Sequence, residues 1–254
     1  MTDYEIIKRI DDGANFYLDF FGDAVHMEST DNGIYRTIRP KENEQGVKFL
    51  YDLRLDHLSD DEAQIKIAEI KSSGLPVWWP LHSEKIRDWL HGKDYVAKPP
   101  SEGDEFYMAL FRESLHFLPE SQPTDVKNDA EIKRIETAAD FKIWADMANL
   151  IFAEGYGDIH PVNHYHWCEK GKLIPYIAYQ NDVPAAIAAI LNNNGVASLE
   201  FVATLEEYRR KGLARAVCIT AVCDVFTDGA KIITTRAFHP ASLLYQSLGF
   251  KIYY

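Results

Sequence analysis

The chain has 254 residues and a formal net charge of −12 at pH 7, with 46% hydrophobic and 26% charged residues. At roughly 150 residues per domain, this length predicts one large domain or two small ones, and no apolar run approaches the roughly 20 residues that a membrane span needs. The acidic balance disfavours nucleic acid as a partner, because phosphate binding needs clustered Lys and Arg. Most of the acidic excess lies in residues 1–127, which indicates either a cationic partner or a surface charged only for solubility.

The first residues and the cysteines indicate the cellular compartment in which the protein is expected. The N-terminus, MTDYEIIKRIDDG, has acidic residues from position 3 onward and lacks the apolar segment of a secretory signal. The three cysteines, Cys168, Cys218 and Cys223, show no CxxC or CxxH spacing, which disfavours a disulfide framework and a structural zinc site. We therefore expect a cytoplasmic protein with core thiols, no metal and no membrane partner.

The first half contains four predicted elements in the order helix, strand, helix and strand. They are DDEAQIKIAEIKSS (60–73), LPVWW (75–79), SEKIRDWLHG (83–92) and EFYMALF (105–111). A polar stretch with two prolines, PESQPTDVKNDA (119–130), follows and is typical of a linker. The sequence therefore predicts a domain at 1–118, a linker at 119–130 and a second domain at 131–254.

The second half predicts the order strand, helix, three strands, helix, strand, helix and strand, from the spacing of its apolar residues. These elements are predicted at 131–138, 138–155, 173–180, 184–191, 196–204, from the RRKGLA segment to Gly229, 231–238, 239–250 and 251–254. The segment YGDIHPVNHYHW (156–167), rich in histidine and aromatic residues, is predicted as a loop. The three successive strands predict an antiparallel meander.

The segment RRKGLA (209–214) opens the long helix directly after a buried strand. The first N–H groups of a helix are unpaired and carry a partial positive charge, so a helix start suits a pyrophosphate. Gly212 lets the backbone approach such a ligand closely, and four basic side chains surround it. Taken alone, the run is equally consistent with a charged first turn of a helix.

Two motifs resemble the GNAT superfamily, the acyl-CoA-dependent N-acyltransferases. The first is the pyrophosphate loop R/Q-x-x-G-x-G/A, matched by Arg209, Gly212 and Ala214. The second is the last helix, N-x-x-x-x-x-L-Y-x-x-x-G-F, which HPASLLYQSLGF matches at Leu244, Tyr245, Gly249 and Phe250. Both motifs occur in the expected order and on the expected elements, so the resemblance covers residues 131–254.

The sequence departs from this pattern in three places. His239 stands where an asparagine often opens the last helix, and Glu206 stands where a proline often precedes the loop. The chain also stops at KIYY, whereas the resembling fold usually continues into a seventh strand that pairs with the sixth. Some strand must cover that edge, and the first half is a candidate source.

The first half resembles the N-terminal half of tandem GNAT proteins, in which the first copy has degenerated. The segment GLPVWWPLHSEKIRDWLHGK carries this resemblance, and the predicted elements repeat the order that ends the second half. The segment before its first predicted helix is LDHLSDD, with three aspartates and no glycine, and Asp60 and Asp61 would repel a diphosphate. We therefore predict one cofactor site in an α/β protein of two GNAT-like halves, each a mostly antiparallel mixed sheet flanked by helices.

The resemblance implies direct transfer of an acetyl group from acetyl-CoA to a primary amine, without a covalent enzyme intermediate. It places Tyr245 as the general acid near the CoA sulfur, and backbone groups of Val202 and Thr204 along the pantetheine arm. The predicted cofactor-binding residues are Val202, Ala203, Thr204, Arg209, Arg210, Lys211, Gly212, Leu213, Ala214, Arg215, His239 and Tyr245. A catalytically silent acyl-CoA-binding or protein-interaction module is the alternative function.

Glu200 is the one charged residue in a strand otherwise fit for burial, and strict alternation would put it on the same face as Val202 and Thr204. A carboxylate there could remove the proton of the amine, which makes Glu200 the candidate general base. The alternative is a strand-end glutamate that meets solvent or a lysine. For Tyr245, the alternative is an aromatic residue that packs on the sheet.

The acceptor pocket is predicted at the loop that follows the first helix of the second half. Its candidate substrate-binding residues are Glu154, Asp158 and His160, and His164 and His166 are further candidates to line it, because catalytic groups concentrate on loops held by a rigid scaffold. His164 and His166 lie nearby, but no matching carboxylate motif accompanies them, and we expect no metal. Trp78 and Trp79 could reach the pocket from the first half or belong to its core. The sequence leaves open whether the acceptor is a small molecule or a peptide, and leaves the oligomeric state open.

Overall fold

The structure is a computed structural model that describes residues 1–42, 44, 48–91, 105–117, 130–152, 159–193 and 195–254. The helices are α1 (Asp3–Gly22), α2 (Asp60–Ser72), α3 (Glu84–His91), α4 (Ala138–Phe152), α5 (Pro161–Glu169), α6 (Leu213–Thr227) and α7 (Ala241–Ser247). The strands are β1 (Met27–Asp31), β2 (Arg36–Pro40), β3 (Phe49–Tyr51), β4 (Glu105–Phe111), β5 (Ala130–Arg134), β6 (Leu173–Gln180), β7 (Val183–Asn193), β8 (Val196–Thr204), β9 (Ile232–Phe238) and β10 (Lys251–Ile252). Short 3₁₀ turns occur at Arg112–Phe117 and Glu206–Tyr208.

A seven-stranded mixed sheet in the order β10-β4-β9-β8-β7-β6-β5 forms the centre of the molecule. All its neighbouring strands are antiparallel except β8 and β9, which are parallel. Alternate residues of β6 enter different cores: Tyr176 and Ala178 pack with α6, while Leu173 and Ile177 pack with α1 and α4. Helices therefore cover both faces, which confirms the predicted α/β class.

Strand β4 of the first half lies inside this sheet, between β9 and β10. It pairs antiparallel with β9 from Glu105↔Phe238 to Phe111↔Ile232, and with β10 at Met108 and Ala109. β10 is the sixth strand of the second half, so β4 covers the edge for which the resembling fold uses a seventh strand. The boundary at 119–130 therefore does not separate two sheets, and residues 118–129 lie outside the described part of the chain.

The rest of the first half differs from the predicted pattern in two respects. Strands β1, β2 and β3 form a small antiparallel sheet that the sequence did not reveal. The predicted strand 75–79 is not one: Val77 makes a single bridge to Leu50. Helices α2 and α3 lie where they were predicted. Descent of this half from a second GNAT copy stays a prediction.

Helix α1 was also not predicted, and it positions the first half against the large sheet. A capping box of Thr2 and Glu5 begins the helix. Gly13 packs where β8 and β9 still pair: a Cβ atom there would lie 3.2 Å from the Thr234 hydroxyl oxygen and 3.3 Å from Cβ of Ser198. A side chain at this position would push α1 away from the sheet.

In the second half, the predicted loop 156–167 is wrong from residue 161 onward. Pro161 begins α5 at a position where its missing N–H costs no helical hydrogen bond. Trp167 and His164 are buried on this helix, so these two residues serve the core. Within the described residues, no helix is long and apolar enough to cross a membrane.

Candidate active site

The large sheet opens between β8 and β9. Although both strands run for seven residues or more, they pair only at Ala197↔Ile233 and Ser198↔Thr234. Beyond this point the strands diverge, and β7 remains the partner of β8. The backbone groups of residues 201–204 that face the opening are therefore not bonded to β9 and can receive an extended ligand.

A bulge in β8 lies beside this opening. The register with β7 shifts between Ile187 and Ala189, and Phe201 has a φ of 54°, which is rare for a residue with a side chain. Phe201 packs on the side of α1 and α4, whereas Val202 packs in the core cluster of α6. Leu199, two residues before Phe201, also packs in the cluster of α6, so strict alternation along β8 breaks at the bulge.

A cavity of about 270 Å³ lies at the opening. Its walls come from both halves of the chain, and the residues that line it include Tyr17 of α1, Glu105 of β4, Phe152 of α4, Glu200 and Val202 of β8, Arg236 of β9 and Tyr245 of α7. The cavity therefore brings together both predicted catalytic residues, Glu200 and Tyr245. Among the described residues, both halves of the chain are needed to form the cavity.

A cluster of three charged side chains lies in this cavity. Arg236 places Nη2 3.7 Å from Oε1 of Glu200 and Nη1 3.9 Å from Oε2 of Glu105. Burial raises the pKa of Glu200 to about 7; Arg236 opposes this rise and Glu105 adds to it. A carboxyl with this pKa can accept a proton near neutral pH.

Arg236 lies between two aromatic rings of the first half. Its guanidinium carbon is 5.4 Å from the centre of the Tyr17 ring and 4.5 Å from that of Trp78. Only 7% of its side chain is exposed, and the neighbouring Glu200 raises its pKa against the effect of burial. Trp78 thus reaches the edge of the site, whereas Trp79 packs in the core of the first half.

Tyr245 is 5% exposed, and its ring packs against Phe250. Burial, followed by the nearby Cys218 and Glu200, raises its pKa well above the usual value, while the Thr235 hydroxyl has the opposite effect. The phenol is therefore neutral at physiological pH. A neutral phenol beside the opening can donate a proton.

The loop before α6 has the geometry of an anion-binding turn. Gly212 caps the helix with a φ of 83°, and Arg210 has a φ of 61°, so two residues adopt the left-handed conformation. The side chains of Arg209, Arg210 and Lys211 are exposed. No side chain caps the first turn of α6, which leaves its N–H groups available to a ligand.

The other predicted cofactor residues occupy several environments. Arg215 donates to the carbonyl and hydroxyl oxygens of Ser247, so its charge is directed to the end of α7. Arg209 donates to the carbonyl of Thr204. The hydroxyl of Thr204 is buried without a hydrogen-bond partner among the described residues. His239 is exposed after β9, Leu213 is buried, and Ala203 and Ala214 are half-buried.

The predicted substrate-binding residues receive little support. Glu154 and Asp158 lie outside the described residues, and His160 is an exposed residue at the start of α5. His164 is buried: its Nδ1 accepts the backbone N–H of His160, its Nε2 contacts the carbonyl of Phe20, and burial lowers its pKa to about 4. Among the described residues, no three His, Cys, Asp or Glu side chains form a metal-binding group.

The sequence reasoning missed Tyr17, Glu105 and Arg236. A signal existed for Arg236, which is the one charge in the β-branched segment IITTRAF (232–238), as Glu200 is in VASLEFVAT. Glu105 and Tyr17 lack such a signal, because their role depends on pairing between β4 and β9 and on the position of α1.

The chain is similar to known proteins over part or most of its length. Residues 141–250 match the family model described as the acetyltransferase (GNAT) family. A GCN5-related N-acetyltransferase from Kribbella flavida aligns over 94% of this chain and 91% of its own, with 17% identity and a TM-score of 0.60. A predicted acetyltransferase from Clostridium acetobutylicum, solved with acetyl-CoA, aligns over 48% of this chain and 90% of its own, with 16% identity and a TM-score of 0.41.

A third similar structure is AAC(6')-Iy in complex with the bisubstrate analog CoA-S-monomethyl-acetylneamine, which aligns over 49% of this chain and 92% of its own, with 16% identity and a TM-score of 0.43. A comparison with curated proteins finds no match. The alignment with the Kribbella protein extends the similarity of fold to nearly the whole chain. Residues 141–250 therefore resemble the GNAT acetyltransferase family, and nearly the whole chain shares the fold of the Kribbella protein.

Proposed function

We propose that the chain transfers an acetyl group from acetyl-CoA to a primary amine by direct transfer. The observation that carries this proposal is the single cavity in which Glu200, Arg236 and Tyr245 meet beside the opened edge of β8. The family match supports the acetyl donor, and the charges of the cavity support the amine.

The residues around the opening fit acetyl-CoA. The edge of residues 201–204 that β9 leaves open suits the pantetheine arm, and the buried Thr204 hydroxyl has an unused hydrogen-bonding capacity there. The turn at Gly212 and the uncapped start of α6 suit the pyrophosphate, with Arg209, Arg210 and Lys211 adding positive charge. Acetyl-CoA supplies the acetyl group as an activated thioester.

Glu200 is the proposed general base. An amine must lose its proton to attack a carbonyl, and a carboxylate with a pKa near 7 can hold that proton at neutral pH. Arg236 stays charged and keeps Glu200 from being fully protonated, so it acts as a positioning residue. Removal of Arg236 would leave two neighbouring carboxylates without their shared cation.

Tyr245 is the proposed general acid. Its phenol is neutral and lines the same cavity as Glu200, whose negative charge raises the pKa of the phenol. It can donate its proton to the sulfur when the thioester bond breaks. The two residues thus divide the proton transfers of one reaction between them.

Glu105 and Glu200 together make the cavity suitable for a cationic acceptor. Two carboxylates face one guanidinium, which leaves an excess negative charge when both are ionised. A protonated amine is drawn to such a site before it loses its proton to Glu200. The proposed acceptor is therefore a small molecule or a peptide end that carries a primary ammonium group.

A thiol-release assay with the full chain tests this function. Acetyl-CoA is incubated with a panel of amines, and both free thiol and the amide product are measured, the latter by mass spectrometry. We expect thiol release that depends on the amine. The variants Glu200→Gln and Tyr245→Phe should release much less thiol. Binding of acetyl-CoA without transfer to any amine would indicate the silent acyl-CoA-binding module.

A further inference from the structure

A second cavity of about 270 Å³ lies in the first half of the chain. It is bounded by α1, by the segment 52–57 that follows β3, and by the segment 78–82. It shares none of its lining residues with the cavity that contains Glu200. Trp78 lines this second cavity and at the same time contacts Arg236 of the active-site cavity, so the two cavities lie on either side of the Trp78–Arg236 contact.

The lining of this cavity carries excess negative charge. Its acidic residues are Asp11, Asp12, Asp52 and Asp56, and its Lys and Arg residues are Lys8 and Arg54. The two basic side chains are already paired: Lys8 lies 2.9 Å from Asp12, and Arg54 contacts Asp31 and Asp52. Among the described residues, Asp11 and Asp56 have no Lys or Arg partner.

One polar atom of a side chain that lines the cavity has no hydrogen-bond partner among the described residues. Asp11 is only 1% exposed; its Oδ2 accepts the backbone N–H of His82 and contacts the His82 ring at 2.7 Å, but its Oδ1 accepts nothing. A buried carboxylate oxygen is costly to leave unpaired, so a donor from a ligand would be strongly favoured there.

We propose that this cavity binds a small organic compound that carries a primary ammonium group. The carboxylates of Asp11 and Asp56, which have no Lys or Arg partner among the described residues, match its charge, and its N–H groups match the free oxygen of Asp11. The Trp78 ring forms an aromatic wall, which suits the alkyl part of such a compound and the cation itself. This cavity shares no lining residue with the cavity that contains Glu200, and the binding does not require acetyl-CoA.

Calorimetric titration of the full chain with 1,4-diaminobutane, without acetyl-CoA, tests the site. The neutral 1,4-butanediol at equal ionic strength is the control ligand. We expect saturable binding of the diamine, none of the diol, and at least tenfold weaker diamine binding in Asp11→Asn and in Asp56→Asn. Asp146→Asn on α4 removes the same charge far from this cavity and should bind as the parent does.

Asp56→Asn keeps the test valid if Asp11→Asn fails to fold, because Asp56 accepts only the Ser83 hydroxyl among the contacts of the described residues. Mass spectrometry of the diamine after incubation with acetyl-CoA distinguishes two sources of the ligand. If the bound diamine becomes acetylated only when Asp56 is intact, the site holds one end of the acceptor; if binding persists without acetylation, it holds a separate ligand. Both outcomes support the site, whereas lack of saturable binding, or unchanged binding in a folded Asp11→Asn or Asp56→Asn protein, would overturn it.

Discussion

Glu105 of the first half and Arg236 of the second lie 3.9 Å apart, measured from Oε2 to Nη1. Arg236 also faces Glu200 at 3.7 Å, so one guanidinium serves two carboxylates that come from different halves of the chain. Because Arg236 shares its charge between two carboxylates, its lowering effect on the pKa of Glu200 is smaller than the raising effect of burial. The pKa of Glu200 is therefore raised to about 7. The first half thus contributes to the proton affinity of the proposed base.

The pH dependence of the reaction should report this pKa. Below about pH 7, Glu200 is protonated and cannot accept a proton, so kcat/KM should fall about tenfold per pH unit there and level off above. In Glu200→Gln this limb should disappear, and any limb that remains belongs to the ionisation of the acceptor. The measurement is kcat/KM from pH 5 to 9.

Glu105→Gln should move the same limb to lower pH. The change removes a neighbouring negative charge that raises the pKa of Glu200, so the base ionises more readily. Glu131→Gln, an exposed change on β5, is the control and should leave the profile in place. A profile of Glu105→Gln that coincides with the parent would show that the two carboxylates are not coupled.

Replacement of Gly212 by Val should greatly weaken the binding of acetyl-CoA. Its φ of 83° is unfavourable for a β-branched residue, and a side chain would occupy the space that the pyrophosphate needs. Gly195→Val introduces the same backbone strain at a φ of 89°, in the turn between β7 and β8, and should leave the affinity unchanged. Calorimetry measures the acetyl-CoA affinity of both variants. A loss of affinity in Gly212→Val alone would come from the ligand site and not from backbone strain.

A change at Asp61 tests whether the first half holds a second cofactor site. Asp61 lies in the first turn of α2, where Ser59 and Glu62 already form a capping box. We expect Asp61→Asn to leave both the affinity and the stoichiometry of acetyl-CoA binding as they were. A large loss of affinity would mean that this helix start also binds the cofactor.

Tyr245→Phe should keep cofactor binding and reduce turnover. The ring and its packing against Phe250 survive, and only the proton donor is lost, so kcat should fall by roughly 10²–10⁴. Tyr179→Phe, a half-buried tyrosine of β6 beside Lys133, is the control. An unchanged kcat in Tyr245→Phe would assign this residue to packing alone.

The second half expressed alone, from residue 130 to 254, should be insoluble or inactive. Without β4, strand β9 loses a partner along its whole length and β10 loses its neighbour in the sheet. The fragment would also lack Glu105 and both rings that enclose Arg236, and such an uncovered edge promotes aggregation. Solubility and thiol release of the fragment are the measurements; a soluble and fully active fragment would show that the first half is dispensable.

Local sequence sufficed for the elements whose signals lie within a few residues. The RRKGLA turn, the apolar stripe of α6 and the LLYQSLGF segment predicted the cofactor loop, its helix and the position of Tyr245. The strands of the meander were also predicted, because continuous apolar runs between turn residues are a local pattern. These features depend on backbone conformation and nearest neighbours in the chain.

Tertiary structure alone decided how the active-site cavity is closed. Nothing local to EFYMALF shows that it pairs with β9 rather than with a strand of its own half, since a half-buried strand has the same pattern in either sheet. The bulge at Phe201 similarly breaks the period-2 alternation along β8, since Leu199 and Phe201 pack on opposite faces of the sheet. Charges distant in sequence, Glu105, Glu200 and Arg236, meet only because β4 and α1 fold onto the second half, and their shared burial then sets the pKa of the proposed base.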